Sequence, residues 1–296
     1  MKTRTARLAL VGLVAAFATV AAACAPDAPP PWEPPAPINW SFKGTNITVN
    51  DAQDEVRVLG ACVAIPNCDD EPYLLQVAFR VRIGQPGSAD AWVVKGDTLP
   101  SISEGSSQSL SGGQQAPVTF TGVQPLDILS ALNPANKMDV VGVYTWAAEE
   151  DSINSLSVGA NATADVFKNA LNATLAAGTL PNQDANALVS MVFDALFSNI
   201  SNPFAMLASN LPCLGLCDDV LGGAVYVGIG ATGTLAGIMD AALASTTVPA
   251  ISIPVLDVPP DIQGGGFFTL GSTKNFSQTF SGADGVHTYG FQSGPA

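Results

Sequence analysis

The strongest constraint in this sequence is a strand written as plain alternation. Leu75, Val77, Phe79, Val81 and Ile83 are large and apolar, and Gln76, Ala78, Arg80 and Arg82 stand between them. A period of two fits an extended chain with one face in a core, because successive side chains leave opposite faces. Shorter stretches of the same character lie at 40–49, 55–59, 91–95, 118–121 and 140–146, separated by turn-forming residues. In the first of these the apolar phase switches near Gly44, as at a β-bulge. The Ser- and Gly-rich stretch 101–115 predicts a mobile surface loop.

The period changes after Glu149, Glu150 and Asp151. Leu156, Ala160, Ala164, Phe167, Leu171 and Leu175 recur every three or four residues, which puts them on one helical face, and the preceding acids suit a helix N-terminus. A second helix is predicted over 183–199 through Leu188, Val192 and Leu196, and a short third over 203–212. β character returns at 267–270, 275–280 and 286–291, a tail too small to form a sheet alone. The pattern predicts an α+β fold: an antiparallel β sandwich built from N- and C-terminal strands, 39–148 and 249–296, with a helical insert over 149–248.

The first 23 residues stand outside this fold. Lys2, Arg4 and Arg7 precede an uncharged run, Leu8 to Ala23, that ends in small residues, the pattern of a secretory signal and too short for a bilayer span. Ala21-Ala22-Ala23-Cys24 resembles the lipobox of bacterial lipoproteins, although Ala21 stands where those usually carry Leu. The resemblance covers the export signal alone and implies a lipid on Cys24 as the first mature residue. The same three alanines also satisfy an A-x-A leader cleavage, which would leave the protein freely secreted. Seven of the twelve residues 26–37 are proline, so 24–38 reads as an anchor and an extended polyproline tether.

Setting Cys24 aside leaves Cys62, Cys68, Cys213 and Cys217, two local pairs in a chain bound for an oxidising compartment. Pairing Cys62 with Cys68 and Cys213 with Cys217 closes the shortest loops of three possible connectivities. A four-thiolate metal cage fits poorly, because the spacings are C-x5-C and C-x3-C.

Charge narrows the partners. The chain has 11 Lys and Arg against 25 Asp and Glu, and removal of the leader leaves 25 acids against 8 bases. Binding driven by phosphate neutralisation is excluded, so no nucleic-acid partner is expected. Only 12% of residues are charged, which leaves a surface of Ser, Thr, Asn and Gln.

Four features carry possible chemistry. Acids cluster at Asp51, Asp54 and Glu55 and at Asp69, Asp70 and Glu71. Solvated turns explain them, and converging loops would also give Ca²⁺ the six to eight oxygens it takes. Residues 220–239 are twenty consecutive uncharged residues with a GxxxG step at Gly233 and Gly237. They read as a buried helix or strand–helix pair, or as a lipid-contacting segment. Gly228-Ile229-Gly230-Ala231-Thr232-Gly233 formally matches a dinucleotide loop but lacks the surrounding pattern of repeated βαβ units. The single histidine, His287, shares a strand face with Tyr289 and Phe291 and reads as a surface or edge-strand residue. No catalytic residue is assigned. The sequence predicts a non-enzymatic, exported cell-envelope lipoprotein, a surface binding or structural module held at the membrane by its lipid, with an unidentified envelope or extracellular ligand. The alternatives are a lipid-binding or membrane-active protein using the apolar insert, and a Ca²⁺-dependent extracellular hydrolase.

Overall fold

The computed structural model describes residues 32–52, 57–58, 61–62, 69–150, 156–181, 184–197, 219–244, 246, 248, 262–282 and 285–296. Fourteen strands follow in chain order: β1 (Ile38–Ala52), β2 (Arg57–Val58), β3 (Ala61–Cys62), β4 (Asp69–Asp70), β5 (Pro72–Arg82), β6 (Asp90–Lys95), β7 (Ile102–Ser103), β8 (Ser107–Ser109), β9 (Val118–Val123), β10 (Asp139–Glu149), β11 (Asp219–Ile229), β12 (Ile262–Thr269), β13 (Lys274–Ser281) and β14 (Gly285–Pro295). Three α-helices stand between these strands among the described residues, α1 (Leu156–Ala173), α2 (Ala185–Phe197) and α3 (Gly233–Leu243).

Two five-stranded sheets form the sandwich. In the first, β13, β14 and β1 lie side by side, and β8 and β9 share the far edge of β1, all antiparallel. The second runs β12-β11-β10-β5-β6 and is antiparallel except for the β11–β12 pair. The three C-terminal strands are therefore divided. β12 completes the second sheet, and β13 and β14 complete the first. Register shifts in β1 at Gly44/Asn46 and Val49/Asp51 are the bulge anticipated near Gly44 and one more. A side-chain carbon at Gly44 would collide with Leu74 and Leu110, so the bulge also brings two layers close.

Aliphatic side chains fill most of the space between the sheets, and aromatic rings pair within it. Trp40 stacks on Phe268 at 5.2 Å, Phe42 on Phe291 at 5.4 Å, and Tyr226 lies 5.0 Å from Phe42. The helices cover the other face of the second sheet. Ala160, Ala164, Phe167 and Leu171 of α1, with Leu175 just beyond it, are buried in one cluster with Leu75, Val77, Phe79 and Val81 of β5. This is the helical face anticipated from the sequence, and Leu188, Val192 and Leu196 of α2 join it.

The structure departs from the sequence reading in three places. First, β5 is not half-buried. Leu74, Gln76 and Ala78 are as buried as the alternating large residues, because β5 lies between a helix layer and a second sheet. Second, 101–115 carries β7, β8 and a 3-10 turn, with Ile102 and Leu110 buried, and β8 pairs with β1 at 46–48. Third, the expected helical insert contains β11. Residues 220–239 themselves form the strand–helix pair that was one of the expected arrangements, and among the described residues no helix is long and apolar enough to cross a membrane. The helix anticipated over 203–212 lies outside the described residues, as do Cys24, Cys68, Cys213 and Cys217. Cys62 pairs through its backbone with Arg57.

Candidate functional site

The two ends of the sandwich differ in chemistry, and β10 spans both. At one end Glu149 pairs with Asp219 of β11 and with Pro72 of β5, which follows Glu71. Asp51 pairs with Val286 at the same end, where a side-chain carbon at Gly285 would lie 2.8 Å from the Asp51 carbonyl and 3.5 Å from Glu149 Oε1. Four of the six anticipated calcium ligands, Asp51, Asp69, Asp70 and Glu71, thus come to one end, while Asp54 and Glu55 lie outside the described residues. Asp69 and Asp70 pair with Ser103 and Ile102, and Glu71 accepts a 3.3 Å hydrogen bond from Ser101 Oγ. Among the described residues no three acidic, His or Cys side chains are grouped closely enough to hold a metal ion. Glu150 accepts hydrogen bonds from Thr98 Oγ1 and Lys95 Nζ, and these hold its carboxyl below the ordinary glutamate value, Thr98 contributing most.

His287 belongs to this end but not to its surface. It was anticipated at an edge or on the outside. β14 instead runs between β13 and β1, and the imidazole is 0% exposed, with Nε2 3.5 Å from Glu149 Oε1. The shared face with Tyr289 and Phe291 holds, but that face is the inter-sheet core.

At the opposite end Asp139 is fully buried and takes four donors. Arg82 donates from Nε at 2.6 Å and Nη2 at 3.0 Å, the Gln124 backbone N–H at 2.8 Å, and Arg80 Nη2 completes the set. Arg80 also donates to the carbonyls of Thr121 and Gly122, tying the first sheet to the second. Hydrogen bonding to Asp139 raises the Arg82 pKa above its ordinary value. A strand with one face in a core would leave both arginines on its other, solvent-facing side. Nothing local to Arg80 and Arg82 reveals Asp139, which is 57 residues from Arg82 and reaches it only through the β5–β10 register.

Next to this clasp, the connection from β9 to β10 presents an apolar surface. Asp127 Oδ1 accepts hydrogen bonds from the Leu129 and Ser130 backbone N–H groups at 3.1 and 2.8 Å and from Ser130 Oγ at 2.9 Å. These hold the Asp127 pKa below the ordinary aspartate value, the Ser130 N–H contributing most. Ser130 is fully buried by this arrangement, while Leu129 and Leu132 are 44% and 42% exposed. The loop is clamped to the β11–α3 turn, with Leu126 N–H on the Gly230 carbonyl at 2.8 Å and Thr232 N–H on the Leu126 carbonyl at 2.9 Å. Ile238 of α3, 43% exposed, adds a third outward apolar side chain. An apolar crevice of about 310 Å³, lined by Leu126, Leu180, Pro181, Leu188, Leu235 and Met239 among others, opens between this loop, α2 and α3.

The glycine motif lies in the same turn. β11, α3 and β12 do form a strand–helix–parallel strand unit, but the protein occupies the glycines' space itself. A side-chain carbon at Gly230 would meet the Asp139 and Gln124 carbonyls at 2.6 and 2.9 Å, and one at Gly228 would meet Leu270 at 2.5 Å. Carbonyl oxygens in that place repel phosphate, and the glycines serve close packing. The arrangement at this end suits contact with an apolar or amphipathic surface. Sequence reasoning missed it because an exposed Leu flanking a buried Ser inverts the usual pattern. No protein-family model, curated protein or solved structure matches the chain.

Proposed function

We propose that this protein is an exported cell-envelope lipoprotein, non-enzymatic, whose sandwich acts as a surface binding or structural module held at the membrane by a lipid on Cys24. The observation that carries the reading is the outer face of the first sheet. Asn50, Thr288 and Thr279 are linked across three strands by hydrogen bonds of 2.7 and 2.8 Å, and Thr48 and Ser107 meet at 2.7 Å on the far edge. This uncharged hydroxyl and amide surface suits an extracellular ligand recognised by hydrogen bonds and not by charge. The leader, Cys24 and the proline-rich tether supply the address.

The test is fractionation of the bacterial host. The natural chain is expected in the membrane fraction, released by detergent and not by salt, and Cys24→Ser is expected in the soluble fraction. A Cys24→Ser protein that stays with the membranes would overturn the anchor. A second reading, a lipid-binding or membrane-active protein using the helical insert, is favoured by the apolar crevice beside α2 and α3. It predicts vesicle flotation by a soluble form lacking Cys24, whereas the first reading predicts none.

A further inference from the structure

We propose that the end of the sandwich carrying Leu129, Leu132 and Ile238 rests against the lipid bilayer and that the acidic end points away from it. This orientation rests on the lipid anchor at Cys24. Three observations converge on it.

Within residues 33–296, the large apolar side chains exposed among those described are Leu129, Leu132 and Ile238. Leu132 follows Ala131 and Ile238 precedes Met239, both of which line the crevice, and Leu129 lies in the same loop as Leu132. The Asp127 hydrogen bonds turn Ser130 inward and both leucines outward, so the exposure is built into the loop.

The chain also enters the fold here. The Pro35 carbonyl accepts a 2.8 Å hydrogen bond from Gln124 Nε2, two residues before Leu126. Eleven residues separate Cys24 from Pro35, a reach of at most about 34 Å for an extended proline-rich chain. The far end lies a further strand away, about 35 Å for eleven residues of β10.

Charge selects the same orientation. Near the clasp, Arg80, Arg82, Lys137, Lys168 and Lys274 stand against Asp90, Asp127, Asp139, Asp184 and Asp240. The other end gathers Asp51, Asp69, Asp70, Glu71, Glu149, Glu150 and Asp219 with Lys95. Anionic headgroups repel the acidic end and accept the balanced one. Three half-exposed aliphatic side chains bind a bilayer too weakly to act alone and serve as the second of two membrane signals.

The test uses the acylated mature protein on phosphatidylethanolamine–phosphatidylglycerol vesicles. An environment-sensitive fluorophore is placed at Leu132→Cys, Ile238→Cys or, at the acidic end, Ser101→Cys, with one label per chain verified by mass. Quenching by nitroxides on the lipid chains is expected to be at least roughly twofold stronger at 132 and 238 than at 101. In the 238-labelled protein, Leu129→Asn with Leu132→Asn should abolish that quenching while flotation persists. Equal quenching at all three positions, or none in vesicle-bound protein, would overturn the orientation. A blue shift at 132 that appears without vesicles and grows with protein concentration would also overturn it, by making this end a contact between copies. If mass reveals an unmodified Cys24, the anchor reading falls separately. The same labels on protein coupled through Cys24 to a maleimide lipid then still decide the orientation.

Discussion

Replacing Phe167 with alanine is expected to lower folding stability by about 3–5 kcal/mol. Phe167, with Leu171, supplies the large side chains by which α1 grips the second sheet, since Ala160 and Ala164 on the same face are small. Its ring stands edge-on to Phe79 and to Tyr144, both at 4.9 Å, and it is 1% exposed. Truncation removes the buried area and both ring contacts, and neighbouring alanines are too short to fill the cavity. Urea unfolding with an unchanged m-value measures the loss. Tyr144 supplies a second readout. Burial holds its phenol well above the ordinary tyrosine value, because the phenolate is disfavoured away from water. Water entering the Phe167→Ala cavity should bring its ultraviolet titration down toward that value. A loss under about 1 kcal/mol with an unchanged Tyr144 titration would mean that α1 is not docked on β5 and β10 in this way.

Asp139→Asn should cost about 2–4 kcal/mol while leaving the shape of the site intact. The carboxylate is 0% exposed and gathers two guanidinium groups and a backbone N–H. An amide of the same size turns one acceptor into a donor facing donors and leaves two cations without their counter-charge. The side chains of Arg80 and Arg82 keep 25% and 30% exposure. Water therefore solvates part of the released charge, and the effect stays below that of a fully enclosed pair. Urea unfolding gives the magnitude, and hydrogen exchange at the Gln124 amide gives the locus, since that N–H loses its acceptor. Unchanged exchange at Gln124 alongside unchanged stability would contradict the clasp.

Much of the architecture was legible because it is periodic. The alternation at Leu75 to Ile83 marked β5, and Ala160, Ala164, Phe167 and Leu171 marked the face of α1. Both patterns record which side chains meet a core. Periodicity does not record how many cores a strand meets. Gln76, Arg80 and Arg82 read as outward-facing on β5, yet their face turns to the first sheet, where Gln76 is fully buried and the arginines close on Asp139. The same blindness placed His287 outside. Its strand pattern is right, but only the sheet order puts β14 between two neighbours. β11 was hidden within a run apolar enough to suit a helix or a strand alike. The acidic end was visible as separate clusters, and only the pairing of Glu149 with Asp219 and Pro72 brings them together. The candidate membrane-facing end was not legible, because Leu129 and Leu132 become an exposed pair only once Asp127 turns Ser130 inward.

Intact mass of the mature protein from its native host tests the anchor most directly. The account predicts a chain beginning at Cys24 that carries a diacylglyceryl or triacyl increment, from which lipase removes the two ester-linked acyl chains and leaves the glyceryl thioether. A mass equal to the unmodified chain would contradict it and leave a freely secreted sandwich.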